Sequence, residues 1–194
     1  MPLSHAAAAI APVAAELERL GVSYYVAGSV ASSSHGIPRS TLDVDLIADL
    51  LPKHAAPLVD ALQADYYISR PAVSDAIARR SCFNVIHSAT SFKVDIFAVK
   101  NRPYDRAVLG RIQRRPFDKD NPSTEFYFAS AEDVVLSKLE WYRLGDEVSD
   151  SQWRDVLGVL KVQQDALDRE YLNKWAAELR IADLLERAWK EVGA

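Results

Sequence analysis

The stretch that decides the fold is Arg39-Ser40-Thr41-Leu42-Asp43-Val44-Asp45-Leu46, in which acidic and apolar residues alternate. Because side chains two positions apart on a β-strand point to the same face, a strand here places the Asp43 and Asp45 carboxylates side by side. Two neighbouring carboxylates repel each other, and neither is favourable on a half-buried strand. A cation that neutralises both is the simplest physical reason for this pattern, so the stretch predicts a strand that carries a cation site.

A second strand repeats the pattern with one acid. Residues 92–99 are apolar except for Lys93 and Asp95. An unpaired carboxylate in such a strand is unfavourable, so we expect Asp95 to join Asp43 and Asp45 as a third metal ligand. The alternative is that Lys93, two residues earlier on the same face, pairs with Asp95.

A strand–turn–helix pattern lies upstream of these acids. A β-branched and aromatic run leads into Gly28 and Ser29, and residues 30–35 follow as a short helix. Gly28 allows a close approach of the backbone, while the amides of the helix start and the Ser29 hydroxyl are donors for phosphate oxygens. Arg39 and Thr41 add further donors. Together with three carboxylates, this phosphate cradle predicts a two-metal phosphoryl-transfer site.

These residues resemble the signature of the DNA polymerase β-like nucleotidyltransferase superfamily. The similarity rests on Gly28-Ser29, the stretch 39–46 and the later hydrophobic-Asp-hydrophobic strand, and it covers about residues 22–99. The resemblance implies a small mixed β-sheet with flanking helices, Mg²⁺ or Mn²⁺ as the cofactor, and a nucleoside triphosphate such as ATP as the substrate. Within the superfamily the chain is similar to the AbiEii-type toxins of type IV toxin–antitoxin systems, which carry a turn like His35-Gly36-Ile37-Pro38-Arg39.

The C-terminal part of the chain matches the same branch at fewer positions. Family members carry a lysine on the first helix after the sheet, where Lys138 stands, and an Arg-Asp pair on the next helix, where Arg154 and Asp155 stand. The resemblance implies that Lys138 contacts the triphosphate and that Asp155 supports the site from behind. A surface lysine and a structural Arg-Asp pair are the alternatives. Many members have a second Asp three residues after the pair, where this chain has Gly158.

Hydrophobic periodicity predicts an α/β head followed by a C-terminal helical bundle. The expected boundary gives a nucleotidyltransferase domain at residues 1–129 and a helical region at 130–194. The predicted strands are 22–27, 42–48, 82–87, 92–99 and 125–128, with 82–87 and 92–99 forming a hairpin. The predicted helices are 6–20, 30–35, 53–64, 71–80, 131–143, 149–163, 168–179 and 181–191.

Composition is that of an ordinary globular protein, with 49% hydrophobic and 26% charged residues. No run of eighteen apolar residues predicts a membrane span, and a cytoplasmic location is expected by default. The single cysteine, Cys82, excludes a disulfide within the chain and is expected to be a small buried hydrophobe.

Charge is unevenly distributed along the chain, although the net charge is only −4. Residues 79–119 hold ten Lys and Arg against three acids, whereas residues 120–194 hold nine basic against sixteen acidic residues. A basic stretch of this kind is typical of a surface for a polyanion such as RNA, and a solvated basic loop is the alternative.

The expected activity is transfer of a nucleoside monophosphate from the triphosphate to a hydroxyl group. The acceptor is an RNA 3′ end such as that of tRNA, a protein side chain or a small molecule, and Asp95 is the choice for the general base. The AbiEii resemblance adds an antitoxin protein as an expected partner. The alternative is a non-catalytic nucleotide- or partner-binding protein on the same fold, and the oligomeric state is left open.

Overall fold

The computed structural model describes residues 5–118 and 121–193, and within them the chain forms seven β-strands, nine α-helices and one 3-10 helix. The strands are β1 (Tyr24–Val26), β2 (Asp43–Ala48), β3 (Tyr66–Tyr67), β4 (Cys82–His87), β5 (Lys93–Ala98), β6 (Gln113–Asp118) and β7 (Asn121–Phe128). The helices are α1 (His5–Arg19), α2 (Gly28–His35), α3 (Pro52–Leu62), α4 (Arg70–Arg79), α5 (Pro103–Leu109), α6 (Ala131–Leu144), α7 (Asp150–Gln163), α8 (Arg169–Glu178) and α9 (Ala182–Val192), with the 3-10 helix at Gln164–Ala166. None of the helices in the described residues has the length and apolar character needed to cross a membrane.

Contacts divide the chain into two units. The sheet unit consists of Met1–Ala27 and Thr41–Phe128, and the helical unit consists of Gly28–Ser40 and Ala129–Ala194. The division differs from the expected split at residue 129 in one place, since residues 28–40 belong with the C-terminal helices. The reason is a set of bonds that no local pattern reveals, and these are described below.

All seven strands of the sheet unit form one mixed sheet in the order β3-β4-β5-β2-β1-β7-β6. The two central strands, β2 and β5, are parallel, whereas β4 is antiparallel to β5 and β1 is antiparallel to β2. The antiparallel pairing of β4 with β5 confirms the predicted hairpin. The strands on which the predicted metal ligands lie are therefore neighbours in the middle of the sheet.

The central strands have two different faces because buried and half-exposed residues alternate along them. On one face the apolar residues of β2 and β5 are fully buried, and both strands are in contact with α1. Fully buried residues here are Val44, Leu46, Val94 and Ile96. The opposite face carries Asp43, Asp45 and Asp95, and we call it the carboxylate face.

Three elements of the sheet unit are absent from the sequence-based prediction, namely β3, α5 and β6. β3 has only two residues, which is too short for any periodicity. β6 lies at the edge of the sheet and contains two arginines and Pro116, with an irregular register after the proline. Proline is tolerated at an edge strand because an edge residue needs no ladder donor, so the strand exists where a central one would be interrupted.

In the helical unit, α2 packs against α6 and α7, and α7 packs in turn against α9. His35 at the end of α2 is buried, and its Nε2 lies 2.8 Å from the carbonyl oxygen of Ala129. The Gln163 side chain donates to the carbonyl oxygen of His35 at 2.6 Å. These bonds join the end of α2 to the residue two positions before α6 and to the last residue of α7, which is why residues 28–40 belong to this unit.

Gly36 marks the closest approach within the helical unit. A Cβ atom on Gly36 would lie 2.7 Å from the backbone nitrogen of Val159 and 2.8 Å from the carbonyl carbon of Gly158. A Cβ on Gly158 would instead meet Ile37 at 3.4–3.5 Å, which is ordinary van der Waals contact. Of these two glycines, Gly36 is therefore the one that neighbouring backbone holds to glycine.

We expect Gly36→Ala to destabilise the protein by about 1–3 kcal/mol, because the methyl group overlaps backbone atoms that can retreat only if a helix moves. Gly158→Ala is the matched control, and it should be neutral or stabilising by up to ~1 kcal/mol through its helix propensity. Urea unfolding followed by tryptophan fluorescence measures both changes. Equal stability of the two variants would contradict the close approach.

Candidate active site

Three carboxylates lie together on the carboxylate face. Parallel pairing places Asp45 opposite Asp95 and Asp43 opposite Lys93. Neighbouring strands lie about 4.8 Å apart, so residues in direct register are adjacent when they point to the same face. The register therefore gathers Asp43, Asp45 and Asp95 into one patch of the sheet.

Lys93 is the positive group within this patch. Its Nζ donates to Asp95 Oδ2 at 2.7 Å and lies 3.6 Å from Asp43 Oδ2. The hydrogen bond to Asp95, followed by the attraction of both carboxylates, raises the pKa of Lys93 above its usual value. The pairing of Lys93 with Asp95, raised as an alternative from the sequence, is therefore present, and it extends to Asp43.

The side chains around the patch complete its polar character. Thr41 Oγ1 donates to Asp43 Oδ1 at 2.9 Å, so the threonine is bound to a carboxylate in this structure. On the other side, β4 places Asn84 in register with Asp95. Cys82 lies two residues before Asn84 on the same strand, and it is exposed. The expectation of a buried Cys82 is therefore wrong.

The donor set suits a hard divalent cation. Among the described residues, no group of three or more His, Cys, Asp and Glu side chains is arranged to hold a metal ion. Mg²⁺, however, is commonly held by one or two carboxylates together with waters and substrate phosphates, and not by a complete protein cage. The Lys93 ammonium already stands between Asp43 and Asp95 as a positive charge, so these carboxylates fit a metal ion by their chemistry.

A second charged cluster lies inside the helical unit. Arg39 donates from Nε to Asp155 Oδ1 at 2.9 Å and from Nη2 to Asp155 Oδ2 at 3.1 Å. Lys138 Nζ lies 2.8 Å from Asp155 Oδ2, and both of these side chains are only 5% exposed. Arg39 also donates to the Ser29 hydroxyl in the first turn of α2. One carboxylate thus faces two cations, and the cluster carries a net positive charge.

The environment of Asp155 determines its protonation. Burial by itself would raise the pKa of Asp155, but hydrogen bonds from Arg39 and Lys138 outweigh that effect and hold the pKa below its usual value. Asp155 is therefore ionised, as a partner of two cations must be.

The remaining predicted residues of the helical unit are placed as follows. Gly28 begins α2 with a positive φ of 58°, a left-handed conformation that favours glycine. Arg154 is exposed, and its Nε donates to the carbonyl oxygen of Asp150. The neighbours Arg154 and Asp155 thus bond to different partners, and the cations beside Asp155 are Arg39 and Lys138. Because Lys138 is buried, the alternative of a surface lysine is wrong.

The basic stretch of residues 79–119 is largely engaged in ion pairs within the sheet unit. Lys119 lies outside the described residues. The pairs are Arg79–Asp75, Arg80–Asp49, Lys93–Asp95, Arg102–Asp105, Arg106–Asp49 and Arg114–Glu125. Paired cations attract a polyanion less than free ones, so the excess of basic residues in the sequence overstates the positive field of this stretch.

Comparisons with known proteins identify the fold. No protein-family model matches the chain, and no curated protein matches it. The structure is similar to the antibiotic-resistance factor ANT(2'')-Ia, with a TM-score of 0.56 and 12% identity over 95% of this chain and 96% of that chain. ANT(2'')-Ia in complex with adenylyl-2''-tobramycin gives a TM-score of 0.58 and 11% identity over 91% of this chain and 98% of that chain.

An antigenic nucleotidyltransferase-like protein from Paracoccidioides brasiliensis is similar as well, with a TM-score of 0.56 and 17% identity over 98% of this chain and 95% of that chain. At such identities the likeness defines the fold. The chain therefore has the nucleotidyltransferase fold, and the predicted fold class, a mixed-sheet α/β head with a C-terminal helical part, is confirmed.

Sequence reasoning did not identify three contacts of these clusters. The Arg39–Asp155 pair spans 116 positions, and no local pattern signals it. Asn84 lies in a strand that was predicted, but its register with Asp95 depends on the hairpin alignment. The bond between Thr41 and Asp43 had a local signal, because the two residues are only two positions apart.

We expect Asp155→Asn to lower the free energy of unfolding by on the order of 3 kcal/mol at neutral pH, because it leaves the buried Lys138 charge without a carboxylate. The folded pKa of Asp155 lies below the unfolded value of about 3.9, so this stabilisation is present above pH ~4 and is lost as the pH falls through the folded pKa. Urea unfolding at a series of pH values measures the difference between wild type and variant. The exposed Asp165→Asn serves as the control, and a difference that grows below pH 4 would exclude the ionised pair.

Cys82 provides a reporter of the carboxylate patch. Although Cys82 is an exposed residue, its sulfur is partly desolvated by neighbouring atoms, and this effect, together with the smaller effect of the Asp95 and Asp45 charges, raises the pKa of the Cys82 thiol to about 11. We expect Asp95→Asn to lower this pKa and to accelerate alkylation by iodoacetamide several-fold at pH 8, since only the thiolate reacts. Asp75→Asn on α4 should leave the rate unchanged. An unchanged rate in the Asp95 variant would show that its carboxylate exerts no field at Cys82.

Proposed function

We propose that this protein is a metal-dependent nucleotidyltransferase that moves a nucleoside monophosphate from a nucleoside triphosphate to a hydroxyl acceptor. The observation that carries the proposal is the register of β2 and β5, which aligns Asp45 with Asp95 and sets Asp43 beside them on one face. A group of like charges on a folded sheet is costly even with Lys93 beside it, so a function that needs concentrated negative charge is its simplest explanation. The nucleotidyltransferase fold supports the same conclusion.

Asp43, Asp45 and Asp95 would hold the divalent cation, Mg²⁺ or Mn²⁺. Carboxylate oxygens are the ligands that such hard cations prefer. When bound, the cation would neutralise the triphosphate and the charge that develops on the leaving pyrophosphate.

Asp95 is the proposed general base. Its side chain is 15% exposed, so it is accessible while partly shielded from water. In the reaction, the acceptor oxygen forms a bond to the α-phosphorus, the bond between that phosphorus and the α,β-bridging oxygen breaks, and pyrophosphate departs. The proton of the acceptor hydroxyl passes to Asp95, a role that requires Asp95 to release its bond from Lys93.

Gly28, Ser29, Arg39, Thr41 and Lys138 are the proposed nucleotide-binding residues, with Arg154 and Asp155 in support. The net positive charge of the Arg39–Asp155–Lys138 cluster supports this role, as does the bond that directs Arg39 towards Ser29 in the first turn of α2. Amides of a first helical turn have no partner within the helix and favour an anion. Lys138 acts from a buried position, where it holds Asp155 and contributes charge to the cluster.

A small molecule is the acceptor that we favour. ANT(2'')-Ia, which has the same fold, forms a complex with adenylyl-2''-tobramycin. The ion pairing of the basic stretch removes part of the reason for choosing RNA. The AbiEii-type branch, with its toxin role and its antitoxin partner, stays a prediction from the turn at residues 35–39.

Label transfer tests the proposal directly. We expect the full chain, with Mg²⁺ and an α-labelled nucleoside triphosphate, to transfer label to an acceptor from a panel of tobramycin, total tRNA and the protein itself. Asp43→Asn and Asp45→Asn should each reduce the rate at least roughly hundredfold, because the cation that these carboxylates would hold would stabilise transition-state charge by several kcal/mol. Asp65→Asn, an exposed acid of the sheet unit, should retain wild-type activity.

Calorimetry separates the proposal from the non-catalytic alternative. An active enzyme should bind triphosphate only with a divalent cation present, and Asp43→Asn together with Asp45→Asn should abolish that binding. The result for a nucleotide-binding protein without turnover would be different. The double variant would bind the triphosphate as tightly as wild type, and the wild type would transfer label from no nucleotide to any acceptor.

A further inference from the structure

Lys93 has an unusual position among the basic residues of the sheet unit. It lies in register with Asp43 on the neighbouring strand and two residues before Asp95 on its own strand, so it shares the face of both acids. Its Nζ reaches both carboxylates, at 2.7 Å and 3.6 Å. No other lysine among the described residues forms ion pairs with two of the proposed metal ligands.

We propose that Lys93 is a built-in counter-ion that competes with the divalent cation for Asp43 and Asp95 and thereby sets the metal affinity of the site. The inference rests on the proposed function, since it assumes that these carboxylates take a divalent cation. It goes further by assigning a role to a residue that is neither a metal ligand nor a nucleotide ligand.

Competition follows from the overlap between the positions of the two charges. A cation held by both Asp43 and Asp95 occupies the region between their carboxylates, where the Lys93 ammonium lies 2.7 Å from Asp95 Oδ2 and 3.6 Å from Asp43 Oδ2. Two positive charges cannot share that space without strong repulsion. Metal binding therefore displaces the ammonium from the carboxylates.

Displacement is feasible because the ion pair is only partly shielded. The Lys93 and Asp43 side chains are each 41% exposed, and water screens ion pairs at such exposure. The flexible four-carbon side chain of lysine also lets the ammonium move into solvent while its backbone stays in the sheet. In the metal-free protein, the same ammonium relieves the repulsion between the acids and keeps them together.

The consequence is a higher threshold for metal binding than the three carboxylates alone would give. Lys93 is thus a positioning residue that exchanges its carboxylate partners for solvent when the cation enters. Removing its charge should strengthen binding of the metal alone, without nucleotide or acceptor.

Titration of the full chain with Mn²⁺ tests this role, with the free ion measured by electron paramagnetic resonance. We expect Lys93→Met to bind Mn²⁺ roughly tenfold more tightly than wild type at fixed low ionic strength, because the metal no longer has to displace an ammonium from Asp43 and Asp95. Lys100→Met is the matched control, because it removes the same charge from an exposed lysine of the same unit. Lys93→Arg, which keeps the charge, should remain close to wild type.

Circular dichroism confirms that each variant is folded, and Lys93→Gln repeats the measurement with a polar side chain if Lys93→Met is not. Three results would each overturn the counter-ion role. They are equal Mn²⁺ affinity in Lys93→Met and Lys100→Met, weaker Mn²⁺ binding in Lys93→Met than in wild type, and no Mn²⁺ binding by any variant. Label transfer by the wild type with an unchanged Mn²⁺ affinity in Lys93→Met would refute this role alone. Tighter Mn²⁺ binding in a protein that transfers no label would refute the proposed activity alone.

Discussion

Repulsion among Asp43, Asp45 and Asp95 is the constraint on which the sheet unit depends. The acids are held together because the alternate residues of β2 and β5 form the core, with Val44, Leu46, Val94 and Ile96 fully buried. A slip of the register by one residue would bury the acids and expose the apolar side chains. Burial of the core therefore fixes the carboxylates, and Lys93 reduces the cost of their proximity.

The helical unit contains the opposite arrangement of charge. Asp155 there is a single acid between Arg39 and Lys138, and hydrogen bonds to these cations lower its pKa despite its burial. The sheet unit thus concentrates negative charge, and the helical unit concentrates positive charge around one acid. A metal ion and a polyphosphate are the two partners that such clusters respectively attract.

Sequence patterns predict local structure well in this chain, and they predict long-range pairing poorly. The alternation of acidic and apolar residues in β2 and of polar and apolar residues in β5 is a local signal, and both strands are present. The alignment of Asp45 with Asp95 depends instead on which strands become neighbours. The Arg39–Asp155 pair and the burial of Lys138 likewise arise only when α2 meets α6 and α7. The sequence did not predict β6 because it contains Pro116, which only an edge position tolerates.

The assignment of residues 28–40 to the helical unit makes the chain pass between the two units three times, after Ala27, after Ser40 and after Phe128. A fragment that starts at residue 129 would lack α2, the His35 ring bonded to Ala129 and the Arg39 partner of Asp155. The C-terminal helices are therefore not an exchangeable cassette. Recombination that replaced them would have to replace the 13-residue segment Gly28–Ser40 at the same time, so the two parts of this unit are constrained to evolve together.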